Sequence, residues 1–477
     1  MSRALVGIDV GTTGVKAIAI SDTGDVVARA GRGYPLSTPH RGWAEQDPEH
    51  WWRAAQDALG ELGVEPAAIG FSGQMHGLVV LDAQERVLRP AILWNDQRTA
   101  AECVEMEERV GLERLIQLTG NRALTGFTAP KLLWLRRHEP DVYRQIRHVL
   151  LPKDYVRLRL EGAHAIDAAD ASGTLLFDVA NRRWSDEVCA ALDVPTEWLP
   201  PAHESTEVAG AGDQAAGALG VGIAGPGPVS VVLGTSGVVF AALDEFAADP
   251  LARAHVFCHA VPGRWHAMGV MLSAAGSLRW LRDLVGGDYA TLTAEAAETP
   301  AGADGVLFAP YLTGERTPHA DPDVRAMFQG LSLGHGRGVL VRSVLEGVAY
   351  GLRDSLELLR DLGVDARVGR ASGGGARSRV WLEIVASVLD LPLELTAVEE
   401  GAAYGAALLA GVRAGVWSDA DEAHSQGLLK RQAVLGTAWA GFLKTNPPED
   451  RDAFRAAWMA ARRAALTKAG MPVGVDE

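Results

Sequence analysis

The chain has 477 residues, with 45 basic and 60 acidic side chains and a formal charge of −15. At 48% hydrophobic and 22% charged it can bury the cores of two or three domains, which excludes a disordered chain. The negative balance argues against nucleic acid or an anionic membrane as partner, so an anionic ligand must be held by local backbone amides, a metal ion or a few cations.

Taken in order, the N-terminus turns at once into an apolar strand with no signal-peptide pattern. Segment 7–20 is an apolar β-branched run, a Gly11-Thr12-Thr13-Gly14 turn and a second apolar run, which predicts a β-hairpin with Asp9 near the end of its first strand. A helix is predicted from the N-cap Asp47, with Pro48 at its first position and Trp52, Ala55, Leu59 and Leu62 as its apolar stripe. Two short apolar runs follow, Ala68–Phe71 and Ala91–Leu93. Each ends in a polar cluster, Gly73-Gln74-Met75-His76-Gly77 and Trp94-Asn95-Asp96. Strand ends are where open α/β sheets bind ligands. These side chains suit a polyol, with Trp94 or Met75 covering a carbon face, although plain loop polarity would explain them as well.

Asp213 stands among small residues in Gly210–Gly217, a candidate base exposed to a cleft, and Glu204–Gly210 leaves room for only a shortened strand ahead of it. Segment 229–242 then repeats the early hairpin, Gly234-Thr235-Ser236-Gly237 matching Gly11–Gly14. A repeat near half the chain length predicts two similar domains with a cleft between them. A glycine-flanked turn lets backbone N–H groups approach a phosphate, Thr and Ser hydroxyls add donors, and Asp9 can hold Mg²⁺ against phosphate oxygens. One such hairpin is ordinarily a tight turn; the matched pair favours a phosphate-binding cleft.

His255, Cys258, His259 and His266 mimic metal-ligand spacing. Structural zinc needs four ligands and no CxxC partner exists, so alternation in a half-buried strand explains them better. A long helix is predicted over Val339–Leu362, with Val341, Val344, Leu345, Val348, Leu352, Leu356 and Leu359 on one face and Gly363 as its stop. Residues 366–372 form a weak strand leading into Gly373-Gly374-Gly375-Ala376-Arg377-Ser378. Ser378 is the expected N-cap of a helix with Val380, Trp381, Ile384, Val385 and Val388 on its apolar face. A Gly-rich loop feeding a helix N-terminus is a ready nucleotide site, its alternative being a flexible connection. The small residues of Gly401–Ala407 either pack closely on a neighbour or wall a purine ring, and an amphipathic closing helix is expected over Phe454–Leu466. The cysteines Cys103, Cys189 and Cys258 are too sparse for a disulfide framework, and no apolar run approaches the ~20 residues that span a bilayer, so a cytoplasmic protein is expected.

Together these motifs resemble the FGGY carbohydrate kinases over nearly the whole chain. The resemblance is carried by Trp43–Pro48, Gln74–Gly77, Arg89–Asp96, Gly126–Trp134, Leu151–Tyr155, Leu233–Gly237, Gly314–His319, Phe328–Leu331 and the triple-glycine loop. It implies an α/β fold of two actin-like, ribonuclease-H-like domains around a central cleft, 1–210 on the sugar side and 211–477 on the ATP side. It implies ATP and Mg²⁺, with Asp213 as general base, Asp9 beside the metal and γ-phosphate, and Met75, His76, Trp94, Asn95, Asp96, Asp213 and Gln214 around a ketopentose. Gly11, Thr12, Thr13, Lys16, Gly234, Thr235 and Ser236 would cradle phosphates, and Gly374, Gly375 and Arg377 would lie by the nucleotide. Gln214 stands where the family usually has Asn. The implied reaction is ATP plus D-xylulose giving ADP plus D-xylulose 5-phosphate. Another pentulose, a polyol or glycerol as acceptor, an actin-like ATPase, and an inactive nucleotide-binding relative stay open as alternatives. The expected partner is a small sugar, with no nucleic acid and no membrane, and a homodimer is compatible with the family.

Overall fold

The computed structural model describes residues 4–395, 401–423 and 460, and its two halves repeat one arrangement. In the first, Ala4–Val10 (β1), Gly14–Ile20 (β2) and Val26–Gly33 (β3) form an antiparallel meander. Pro66–Gly73 (β4) and Gly210–Gly212 (β5) add in parallel beyond β1, giving the order β5-β4-β1-β2-β3. In the second, Pro228–Leu233 (β6), Gly237–Leu243 (β7), His255–Cys258 (β8) and Trp265–Met271 (β9) form the antiparallel part. Val368–Ser372 (β10) and Leu393–Leu395 (β11) add in parallel beyond β6, giving β8-β9-β7-β6-β10-β11. Both predicted hairpins are therefore real and form the middle of their sheets, and the chain is the expected pair of ribonuclease-H-like α/β halves.

Helices cover the sheets where the sequence places caps. The helix Pro48–Leu62 (α1) begins at Asp47, whose Oδ1 accepts the Glu49 N–H at 3.0 Å, and ends at Gly63 in the left-handed region with φ 63°. Its buried face is Trp51, Ala54, Ala55, Ala58 and Leu62, whereas Trp52 and Leu59 are only half-buried. Two adjacent tryptophans leave the phase of the stripe undecided in the sequence. The indole N–H of Trp51, donated to Gln46 Oε1 at 2.9 Å, marks the inward one. The long helix is Arg337–Asp361 (α2), and all seven residues expected on its inner face are fully buried. Ser378 caps Arg379–Leu389 (α3) as expected, accepting from Trp381 N–H.

The helix Gly401–Arg413 rests on β1 and β4 and on the helix Asp213–Gly220. The small residues are there for close packing: a Cβ on Gly7 would overlap the Ala403 carbonyl, one on Gly70 the Ala406 carbonyl, and one on Gly405 the Ala216 carbonyl. Because backbone stands opposite and cannot yield, Gly70→Ala is expected to destabilise the protein by at least the ~1–3 kcal/mol of an overpacked core, read as a lower denaturation midpoint with an unchanged slope.

Strand β8 corrects one expectation. It is buried along its whole length, not half-buried, and His255, His259 and His266 are packing rings. His255 Nδ1 lies 2.7 Å from Asn121 Oδ1, His259 Nδ1 accepts the Val261 N–H at 3.0 Å, and His266 stacks on Phe240. Burial holds all three imidazoles below their usual pKa and hence neutral. Among the described residues no helix is long and apolar enough to cross a membrane. The closing helix expected over Phe454–Leu466 lies outside the described residues, apart from residue 460.

Candidate active site

Strands β1, β4 and β5 run parallel and end at the same edge of the first sheet, so the residues that follow them meet there. β1 brings Asp9, β4 brings Gln74, Met75 and His76, and β5 brings Asp213. The lead-in to Asp213 is short, as expected, but it is intact: Ser205–Val208 makes a helical turn, and Gly210, Ala211 and Gly212 pair with Phe71, Ser72 and Gly73. Asp213 is then the first residue of the helix Asp213–Gly220.

Two cavities open at this edge, and a third lies in the second half. A sugar-sized one of about 150 Å³ is lined by Met75, His76, Trp94, Gly126 and Phe127 from the first half and by Ser236, Val270 and Arg316 from the second. A second, of about 250 Å³, is lined by Asp9, Ser230, Ser372, Gly373, Gly401 and Ala402. A third, of about 440 Å³, is lined by Tyr289, Gly374, Gly375, Arg377, Ser378 and Trp381. Asp213 and Gln214 line both the first and the second. The loop Gly373–Gly375 joins the second to the third. Gly373 has φ 87° and a Cβ there would press on the Leu233 carbonyl group, so glycine is required for the loop to lie against the second hairpin.

In the first cavity His76 is held from several sides. Its backbone is left-handed with φ 67°, and its carbonyl accepts from Lys131 Nζ at 2.8 Å and from the Thr128 hydroxyl at 3.1 Å. Nδ1 lies 2.6 Å from the Gly173 carbonyl oxygen. A carbonyl only accepts, so Nδ1 carries the proton. Burial and the Lys131 charge push the imidazole down to about 3, so the ring stays neutral and Nε2 is left as an acceptor. The indole of Trp94 is fixed by its N–H, donated to Thr12 Oγ1 at 2.9 Å. Asn95 keeps a buried Oδ1 without a hydrogen-bond partner. Asp96 lines none of the three cavities. Its carboxylate accepts from Ala44 N–H and from the backbone and guanidinium of Arg98, which braces the loop behind Trp94.

Arg316, Phe127 and Lys131 have no role that the sequence alone gives them, although the Gly314–His319 and Gly126–Trp134 motifs contain them. Arg316 lines the sugar-sized cavity; among the described residues no carboxylate accepts from its guanidinium within hydrogen-bond distance, and the adjacent Glu315 instead accepts the Leu272 and Arg316 backbone N–H groups at 2.7 and 2.8 Å.

The second cavity is defined by two carboxylates. Burial pushes Asp9 up to about 6, against the pull of Lys16 opposite it on β2 and of the Ser72 hydroxyl. Burial and the neighbouring Asp9 push Asp213 up to about 7, while Gln214 Nε2, donating to Asp213 Oδ1 at 3.3 Å, opposes the shift. Asp9 Oδ1 is buried with no hydrogen-bond partner. An orphaned carboxylate oxygen beside a second carboxylate fits Mg²⁺, which takes one or two protein carboxylates and completes its shell with water and phosphate oxygens. Ser236 of the second hairpin lines the sugar-sized cavity, while Gly11, Thr12, Thr13, Gly234 and Thr235 line none of the three. Thr12 joins Trp94 and Gln74 through its hydroxyl, and the Thr235 carbonyl accepts the Ala274 and Gly276 N–H groups, so both turns brace the cleft wall.

A run of cavities along the Gly373–Gly375 loop that meets a sugar-sized one at Asp213 and Gln214, between two ribonuclease-H-like halves, is the arrangement of a sugar kinase. Residues 4–243 match the N-terminal domain and residues 229–414 the C-terminal domain of the FGGY family of carbohydrate kinases. The chain belongs to that family and is an ATP-dependent carbohydrate kinase. It is 46% identical to the xylulose kinase of Escherichia coli over 86% of this chain and 90% of the relative. Among solved structures it is similar to a xyloylose kinase from Brucella ovis, with a TM-score of 0.90 and 37% identity over 98% of this chain and 100% of that one. The xylulose kinase from Rhodospirillum rubrum is similar to a like degree, with a TM-score of 0.88 and 34% identity over 98% and 99%.

Proposed function

We propose that the protein transfers the γ-phosphoryl group of ATP to the 5-hydroxyl of D-xylulose, with Asp213 as general base. The observation that carries this reading is that Asp213 lines both the sugar-sized cavity and the cavity of Asp9, so one carboxylate borders both a space that an acceptor could fill and one that a phosphate could fill. The names of the similar proteins supply the acceptor.

The chemistry follows from the side chains. Phosphoryl transfer is mainly positioning and charge stabilisation, with the acceptor oxygen in line behind the transferred group. Asp213 orients the 5-hydroxyl and takes its proton as the new P–O bond forms, and with a pKa near 7 it is a stronger base than an ordinary aspartate. His76 Nε2 accepts from a sugar hydroxyl, Arg316 donates to sugar oxygens, and Trp94 and Met75 cover the carbon face. Asp9, with Asp213 close by, would hold Mg²⁺, which neutralises phosphate charge when bound. The apolar walls of Phe127, Val238, Met268 and Val270 keep water from competing with the sugar.

The test is an acceptor profile: kcat/KM for D-xylulose should exceed that for other pentuloses, polyols and glycerol, and a higher value for any of them would replace the acceptor named here. Two substitutions probe the sugar side. His76→Ala is expected to raise KM for the sugar much more than KM for ATP. Gly173→Ala should do the same without replacing any sugar-lining side chain, because its Cβ would sit 2.5 Å from His76 Nδ1 and push the ring aside. Equal changes in both KM values would contradict the assignment of His76 to the sugar.

A further inference from the structure

Behind the site lies a set of charges that the chemistry above does not use. Lys153, from the helix Pro152–Glu161, has its Nζ 2.6 Å from Asp154, 2.7 Å from Asp167 and 2.9 Å from Asp170, with all four side chains fully buried. Arg157, one turn on, reaches Asp154 Oδ1 at 3.1 Å and the Ala165 carbonyl at 3.2 Å. Three carboxylates thus share two cations. Asp170 Oδ1 and Asp154 Oδ2 have no hydrogen-bond partner. Burial raises the Asp154 and Asp170 carboxyls above their usual range.

Stability does not account for such a cluster. Desolvating five ionisable groups costs as much as their mutual attraction returns, and apolar residues of the same volume are commonly as good or better. What the ions add is direction, since each contact fixes where a particular piece of backbone lies. The pieces touched here are telling. A Cβ on Gly210 would collide with the Arg157 guanidinium, and one on Gly212 would lie 3.2 Å from Asp170 Oδ1 and 2.9 Å from Met75 Cγ. A Cβ on Gly73 would lie 3.2 Å from Lys153 Cβ. So the cluster lies against Gly210 and Gly212 of β5, just ahead of Asp213, and against the end of β4 just ahead of Met75 and His76. Asp167 also caps the short helix Ala168–Ala171, accepting the Asp170 N–H at 2.8 Å, and that turn runs into Gly173, whose carbonyl holds His76.

We propose that Lys153, Asp154, Arg157, Asp167 and Asp170 form the positioning network of the phosphoryl-transfer site, locking the strand that ends at Asp213, the strand that ends at Met75–His76 and the turn that holds His76 into one register. None of the five lines any of the three cavities. Gly210 is required because the Arg157 guanidinium occupies the space where a side chain would stand, and Gly212 because Met75 and Asp170 crowd it, which is also how a three-residue strand is aimed without a longer lead-in. The proposal rests on Asp213 being the base.

The test is the pair Lys153→Met with Asp170→Asn. Together they remove one positive and one negative charge and so keep the cluster's balance while cutting the contacts that converge on Lys153. In the full-length double variant, assayed well below its melting temperature, kcat is expected to fall about tenfold to a hundredfold, as for a reacting group displaced by an ångström or less. KM for D-xylulose should rise several-fold, while KM for ATP and the affinity for ATP by calorimetry stay within about twofold of the parent. A merely structural role would lower the melting temperature and leave the kinetic constants of the folded protein alone, so a folded double variant with parental kcat and sugar KM would overturn the proposal. If Lys153→Met alone fails to fold, the double variant still decides. Asp213→Asn run in the same assay separates the two levels: its loss of activity beside a normal double variant sinks the network only, whereas near-normal activity of Asp213→Asn sinks the base assignment and the network with it.

Discussion

Asp213→Asn is expected to lower kcat by the ~10²–10⁴ typical of a lost general base, with KM for ATP nearly unchanged. The amide keeps the shape and can still accept a hydrogen bond, but it cannot take the proton of the sugar hydroxyl. A near-normal kcat would remove Asp213 from the mechanism. A second readout guards against misfolding, because the same change should stabilise the protein at alkaline pH. Asp213 is raised from 3.8 to about 7 by burial and by Asp9, so ionising it costs folding energy. Below about pH 4 the carboxyl is protonated in both folded and unfolded chains and the cost is absent; it grows as pH rises and is complete above about pH 7. Asp213→Asn should therefore melt higher than the parent at pH 8 and level with it at pH 4. Lost activity with gained stability is the mark of a group kept for chemistry.

Much of this site was legible in the sequence because it is built on strand ends. Asp9, Met75, His76 and Asp213 each follow a short apolar run, and parallel strands that end at one edge bring such residues together whatever the rest of the fold does. The repeated hairpin gave the two halves for the same reason, since β-branched runs flanking a Gly/Thr turn have few alternatives. The other wall of the cleft was not legible. Arg316 and Val270 reach the sugar-sized cavity only because the second sheet faces the first, and nothing local in Gly314–His319 tells which way its arginine points. Asp96 was misleading in the opposite sense. Its position after a strand resembles that of Asp9, but Arg98 two residues on claims both carboxylate oxygens. Thr12 looked like a phosphate ligand by its place between glycines, yet its hydroxyl lies within reach of the Trp94 indole, a partner distant in sequence. Local pattern finds which residues stand at an edge; the side chains that close around them are decided by tertiary contacts.

The pair Asp9–Asp213 also sets how the enzyme should respond to pH. With ATP and sugar well below saturation, kcat/KM reports groups of the free enzyme, and a base with a pKa near 7 is active only when ionised. The rate should rise about tenfold per pH unit between about 6 and 7 and then level off, and fall more steeply below about 6, where Asp9 also gains a proton, leaving pH 5 more than about a hundredfold below the plateau. His76 cannot produce this limb, since an imidazole held down to about 3 is neutral throughout. Lys131, pushed down to about 7 by burial, loses a proton in the same range, but losing the charge that anchors the His76 loop would make the rate fall with rising pH, not climb. Asp9→Asn distinguishes the sources directly. It removes the like charge beside Asp213, so the limb should move to lower pH, though not as far as an ordinary aspartate because burial is the larger cause. The plateau should drop as well, since Asp9 would no longer offer a full carboxylate to Mg²⁺, but the position of the limb does not depend on its height. A profile flat from pH 5 to 8, or a limb that Asp9→Asn leaves in place, would mean that the two carboxylates do not share a field and that the proton of the sugar hydroxyl goes elsewhere.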